Sequence, residues 1–213
     1  SNIQGKFPST RLRRNRMREF SRRLIAENNL SSNDLILPLF VCEGNNVEDP
    51  ILSMPGVNRY SINKLLKKVE DAVRLSIPAI AIFPQIDTEL KNAEGSLAVD
   101  ENNLVCRSIK SIKKEFSEIG IICDVALDPF TNHGHDGLVI DNKIDNDKTL
   151  EILEKQALVQ VSAGCDVIAP SDMMDGRVGR IRKSLDNNNF QDTLILSYAA
   201  KYASSFYGPF RDT

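Results

Sequence analysis

The sequence predicts an α/β chain on a parallel sheet of β/α-barrel type, preceded by an N-terminal arm. Three observations predict this. Apolar runs of strand length recur at 36–41, 79–83, 121–127, 167–169 and 194–198. Amphipathic helical patterns fall between them, and apolar strands that alternate with helices form a parallel sheet covered by those helices. Polar and charged residues cluster after the strand ends, from Pro84 onward and at 124–136, 171–177 and 201–211. That is where a β/α barrel carries its site.

With 213 residues, the chain is long enough for one domain with a substantial core. The net charge of -2 is unremarkable. No stretch of about 18 apolar residues exists, so no membrane association is expected. The four cysteines, at 42, 106, 123 and 165, form neither a CxxC pair nor a disulfide framework. Cys42, Cys123 and Cys165 lie in or beside the strand patterns and read as small buried hydrophobes. A reducing compartment is expected, either the cytoplasm or a plastid-type organelle.

Residues 1–30 read as an arm and 31–213 as the sheet-forming body. Arginines at 11, 13, 14, 16, 18, 22 and 23 raise the possibility of nucleic-acid binding. The remainder of the chain is acidic and no aromatic stacking set accompanies the arginines, so no nucleic-acid partner is expected. Met17, Phe20 and Leu24 share a helical stripe and should pack on protein.

After the first strand, 61–75 places Ile62, Leu65, Leu66, Val69 and Val73 on one helical face. Residues 103–116 and 148–163 have the same pattern. Between those two helices, Asp124, Asp128, His133, His135 and Asp136 gather within thirteen residues. The carboxylates suit a hard cation such as Mg²⁺, whereas zinc prefers thiolates and only Cys123 lies nearby. The histidines read as loop ties. Asp128-Pro129 also reads as a turn. Asp124 lies within the strand pattern and needs a partner, either a site group or a structural ion pair.

The strand at 167–169 leads into Ser171-Asp172-Met173-Met174-Asp175-Gly176-Arg177. Ser171 and Asp172 stand where barrel enzymes place site residues, although Asp172 or Asp175 could equally cap a helix. The methionines read as packing. After the last strand, Lys201 follows Tyr198 and precedes Tyr202, Phe206 and, ten positions on, Arg211. A lysine desolvated there would gain a nucleophilic lone pair for a Schiff base. The alternative is a snorkelling lysine with its head in water.

Three segments, 123–137, 169–178 and 197–212, resemble the motifs of porphobilinogen synthase (5-aminolevulinate dehydratase) in that family's order and at about its spacing. The runs Arg11-Leu12-Arg13-Arg14-Asn15 and Leu37-Pro38-Leu39-Phe40-Val41 resemble it too. The resemblance implies a TIM (β/α)8 barrel, of which this chain holds about five strands, and an arm that assembles a homo-octamer. It also implies the condensation of two 5-aminolevulinate molecules in haem biosynthesis. It makes Lys201 the Schiff-base residue, with Asp124, Ser171 and Asp172 handling the amine and the protons. Arg211, Tyr207 and Phe210 would bind substrate. One version of the family carries three cysteines for zinc at the positions of Ala126, Asp128 and Asp136. Here the resemblance is to the aspartate-rich version, with Mg²⁺ or K⁺ at Asp128 and Asp136 and no catalytic zinc. The family's second lysine has no counterpart here, so these residues alone are expected not to make product. The alternatives are a class I aldolase-like lyase and a non-catalytic oligomer subunit or binding remnant.

Overall fold

The computed structural model describes residues 5–202, 204 and 208. The arm holds a short 3-10 turn at Leu12–Arg16 and one helix, α1 (Glu19–Leu24), with no buried residue in either. Met17, Phe20 and Leu24 are exposed, so the stripe expected to pack on protein does not pack on the rest of the described chain.

The body follows as β1 (Ile36–Val41), β2 (Glu48–Pro50), β3 (Asn58–Tyr60), α2 (Ile62–Arg74), β4 (Ala79–Pro84), α3 (Leu104–Glu115) and β5 (Gly120–Val125). A two-stranded ribbon, β6 (Val139–Ile140) and β7 (Lys143–Ile144), precedes α4 (Asn146–Ser162). The described elements end with β8 (Val167–Pro170), α5 (Arg177–Asn187) and β9 (Leu194–Ile195). The main sheet runs β2-β3-β1-β4-β5-β8-β9, and β1, β4, β5, β8 and β9 are parallel neighbours in chain order. That succession is the β/α-barrel pattern. The barrel is not closed among the described residues.

All five expected strands form. The last spans only Leu194–Ile195, shorter than expected. The added strands β2, at the sheet edge, and β3, between β2 and β1, carry little apolar periodicity, which explains why the sequence did not announce them. On α2 the buried residues are Leu65, Val69 and Ala72, whereas Val73, expected on the core face, is half exposed.

Strand alternation divides the core. Ile121, Cys123 and Val125 of β5 face the helices and join Ile109 and Ile112 of α3, Leu153 and Ala157 of α4, and Ile181 and Leu185 of α5. Each such fully buried Ile or Leu contributes about 1.5–3 kcal/mol. The opposite face holds a smaller group, Ala81, Ile122 and Ala169, with Tyr198 packed on it. Side-chain caps fix two helix starts: Asn103 accepts from the Cys106 amide at 2.8 Å and Asp145 from that of Lys148 at 3.0 Å.

Candidate functional site

The site lies at the carboxyl ends of β5 and β8, where Asp124, Ser171, Tyr198 and Lys201 meet. Alternation along β5 turns Asp124 away from the helices, onto the face where Tyr198 packs. The Tyr198 hydroxyl donates to Asp124 Oδ1 at 3.3 Å. The Ser171 hydroxyl also hydrogen-bonds that carboxyl, while the Ser171 amide donates to the Val125 carbonyl at 3.2 Å. Lys201 donates from Nζ to the Ser171 carbonyl oxygen.

Burial raises the Asp124 pKa to about 6, against the lowering effect of the Ser171 and Tyr198 hydrogen bonds; nearby Asp128 raises it further and Lys201 lowers it. Burial, and then the Asp124 charge, push the Tyr198 hydroxyl well above the usual tyrosine range. Asp124 is thus a carboxyl poised to exchange a proton near neutral pH. Lys201 is exposed. The desolvation expected from its strand-end position is not provided by the described residues.

Asp172 is fully buried. Its Oδ1 accepts the Met174 amide at 2.8 Å, and its Oδ2 lies 3.5 Å from Arg177 Nε. Burial raises its pKa to about 6, with the Met174 amide and Arg177 opposing and Asp136 reinforcing. These partners belong to the 171–177 loop and its neighbour Asp136. Asp172 therefore builds the loop, and no contact with the Lys201 amine is recorded for it. Met174 is buried as expected, whereas Met173 is exposed.

Asp128 is exposed, yet surrounding protein raises its pKa, with the Asp136 charge adding. Asp136 Oδ1 is buried without a hydrogen-bond partner. Its nearest cationic candidate is His135 Nδ1, 3.8 Å away. Two carboxylates that repel each other, one with an orphaned oxygen, fit a hard cation. Among the described residues no group of three His, Cys, Asp or Glu could hold an ion, so the pair would supply only part of a coordination shell. Cys123 faces the helices, where it hydrogen-bonds Cys165. His133 Nδ1 accepts the His135 amide at 3.1 Å and its Nε2 contacts the Ala93 carbonyl at 3.2 Å, the loop-tie role read from the sequence.

Arg211, Tyr207 and Phe210 lie outside the described residues. Sequence reasoning noted Tyr198 beside Lys201 but assigned it no role. It also missed Gln156 and Gln160 of α4, whose only signal was a spacing of four on the face marked by Leu153 and Ala157. Both glutamines are buried, donating to the Ala126 carbonyl at 3.1 Å and to the Asp124 carbonyl at 2.9 Å.

The family model for delta-aminolevulinic acid dehydratase matches residues 9–213. A delta-aminolevulinic acid dehydratase of Bradyrhizobium diazoefficiens is 58% identical over 202 residues, 95% of this chain and 57% of the relative. One from Chlamydia pneumoniae is 46% identical over 204 residues, 96% of this chain and 61% of the relative. The chain thus spans about six tenths of the length of these relatives. Among solved structures, the Toxoplasma gondii enzyme, determined with its reaction product porphobilinogen, superposes with a TM-score of 0.92 at 46% identity, covering 95% of this chain and 58% of that one.

Proposed function

Because the chain belongs to the delta-aminolevulinic acid dehydratase family, we propose that the full-length protein condenses two 5-aminolevulinate molecules into porphobilinogen, the pyrrole precursor of haem. The observation that carries this reading within the chain is the meeting of Lys201, Ser171 and Asp124 at one end of the sheet. No feature of the site favours an aldolase or a non-catalytic remnant over it.

In this reading the Lys201 amine attacks the ketone carbon of one substrate, forming a C–N bond while the carbonyl oxygen takes up a proton. The nitrogen gives up one proton as the carbinolamine forms. A further proton on the hydroxyl lets it leave as water with the C–O bonding pair, and nitrogen's lone pair completes the iminium, an electron sink for the condensation. Asp124, with its pKa near 6, exchanges the protons. The Ser171 and Tyr198 hydroxyls hold its carboxyl in place. Asp172 acts through the loop it braces. Arg211 pairs with the substrate carboxylate as a bidentate fork, and Tyr207 and Phe210 wall the pocket; these three roles rest on the motif match alone.

Asp128 and Asp136 would hold Mg²⁺ or K⁺, the oxygen-donor choice over zinc, with water completing the shell. The cation, when bound, supplies positive charge that relieves their repulsion and polarises substrate oxygen. The arm joins copies of the chain through its exposed Met17, Phe20 and Leu24, and an octamer is the expected assembly. No helix among the described residues is long and apolar enough to cross a membrane. A cytoplasmic or plastid-type location fits the four unpaired cysteines.

The test is borohydride trapping with 5-aminolevulinate in the full-length protein, read by intact mass and peptide mapping. The expected result is an adduct on Lys201, absent in Lys201→Ala, with turnover of that variant reduced at least about 1,000-fold. Substantial porphobilinogen production by Lys201→Ala would overturn the assignment.

A further inference from the structure

The carboxyl end of β5 carries Asp124, and its backbone lacks a donor that the sheet should provide. In the ladder between β4 and β5, the Gly120 amide donates to the Pro78 carbonyl at 2.9 Å, and the paired register runs to Ile82 opposite Cys123. A parallel ladder repeats every two residues. Continued by that repeat, it sets the amide of residue 84 against the Asp124 carbonyl. Residue 84 is Pro84, still within β4 and paired on its other side with Val41, and proline has no N–H. The Asp124 carbonyl would be left without its ladder partner.

Gln160 fills that gap. Its Nε2 donates to the Asp124 carbonyl at 2.9 Å. One turn earlier on the same face of α4, Gln156 Nε2 donates to the Ala126 carbonyl at 3.1 Å, two residues further along. The i,i+4 spacing of the helix thus matches alternate carbonyls of an extended segment. Both glutamines are at most 2% exposed, and both Oε1 atoms are buried without a partner. A buried amide with an orphaned oxygen costs stability. What it provides in return is the N–H donor.

We propose that Gln160, assisted by Gln156, is a positioning residue of the reaction: its side-chain amide replaces the ladder donor that Pro84 lacks and fixes the backbone from which Asp124 reaches Ser171 and Tyr198. The proposal rests on the role assigned above to Asp124. It also accounts for two buried glutamines that face no ligand.

The test uses the full-length protein with Gln160→Met, which keeps the volume and removes the donor. The expected result is a kcat lower by about 10- to 100-fold with KM changed by less than about 3-fold, at a temperature where circular dichroism shows the variant folded. Adding Pro84→Ala restores an N–H at the register position facing the Asp124 carbonyl, and the double variant should recover most of the lost kcat. If Gln160→Met does not fold, Gln156→Met with the same readouts, and the folding of the Pro84→Ala/Gln160→Met double variant, take its place. A folded Gln160→Met with kcat within about 2-fold of wild type would overturn the proposal, as would a kcat loss that Pro84→Ala does not repair. Wild-type protein that makes no porphobilinogen would overturn the underlying reaction instead, and this inference with it.

Discussion

Asp172 shows how one buried carboxyl ties the loop after β8 to pH. Its pKa of about 6 in the folded protein lies above the usual carboxylate value near 4. The folded state therefore keeps this proton to higher pH than the unfolded chain does. The stability that results is present below about pH 4 and is lost as pH rises through about 6. Asn at this position cannot lose a proton and keeps an oxygen for the Met174 amide. Between pH 4.5 and 7.5 the wild-type protein should lose on the order of 2 kcal/mol more stability than Asp172→Asn. Calorimetric melts across that range check this, and parallel curves for the two proteins would contradict it. Asp124 has a similar pKa but a different setting, hydrogen-bonded to two hydroxyls beside Lys201. The same burial raises both values, but Asp172 is held by its own loop, whereas Asp124 stands at the end of the sheet beside Lys201.

Among the elements, the segment between β5 and α4 is closely packed at Gly137. Gly137 lies where an added Cβ would come within 3.0 Å of both Ile144 Cγ2 and Met174 Cε, and 3.1 Å from Thr149 Oγ1. That Thr149 hydroxyl is already engaged, accepting from the Leu138 amide at 2.9 Å and donating to the Asp145 carbonyl at 2.6 Å. Gly137→Ala should therefore cost about 1–3 kcal/mol, from overpacking alone. Urea unfolding measures it, and an unchanged midpoint would show that the ribbon β6–β7 simply moves aside. The elements that the sequence under-announced are the weakly patterned ones. Helix α5 buries only Ile181 and Leu185, so its periodic signal is short. β9 has β8 as its one partner among the described residues, and it ends after two residues although the apolar run continues.

At the scale of the whole molecule, the arm and the body obey different rules. The body buries its apolar residues between sheet and helices, while the arm leaves Leu12, Met17, Phe20 and Leu24 in solvent among its arginines. An exposed apolar stripe of that kind marks an interaction surface, and the proposal that the arm joins copies of the chain is tested there. Removal of residues 1–30 from the full-length protein should lower the assembled mass seen by light scattering without unfolding the body; an unchanged mass would remove the arm from the assembly. The strand–helix alternation, the parallel sheet and the polar clusters after β5 and β8 were legible in the sequence, because period-2 and period-3.6 patterns and strand-end polarity are local signals. So was the position of Lys201 at that end of the sheet, from its place after a strand; the desolvation read from the same place was not met among the described residues. The tertiary structure alone decided that Tyr198 reaches Asp124 across 74 residues and that Asp172 turns into its own loop. It alone set two glutamines of α4 against the carbonyls of β5. Those contacts depend on strand register and on which face each side chain takes. Register is a property of paired strands, so no single segment carries it.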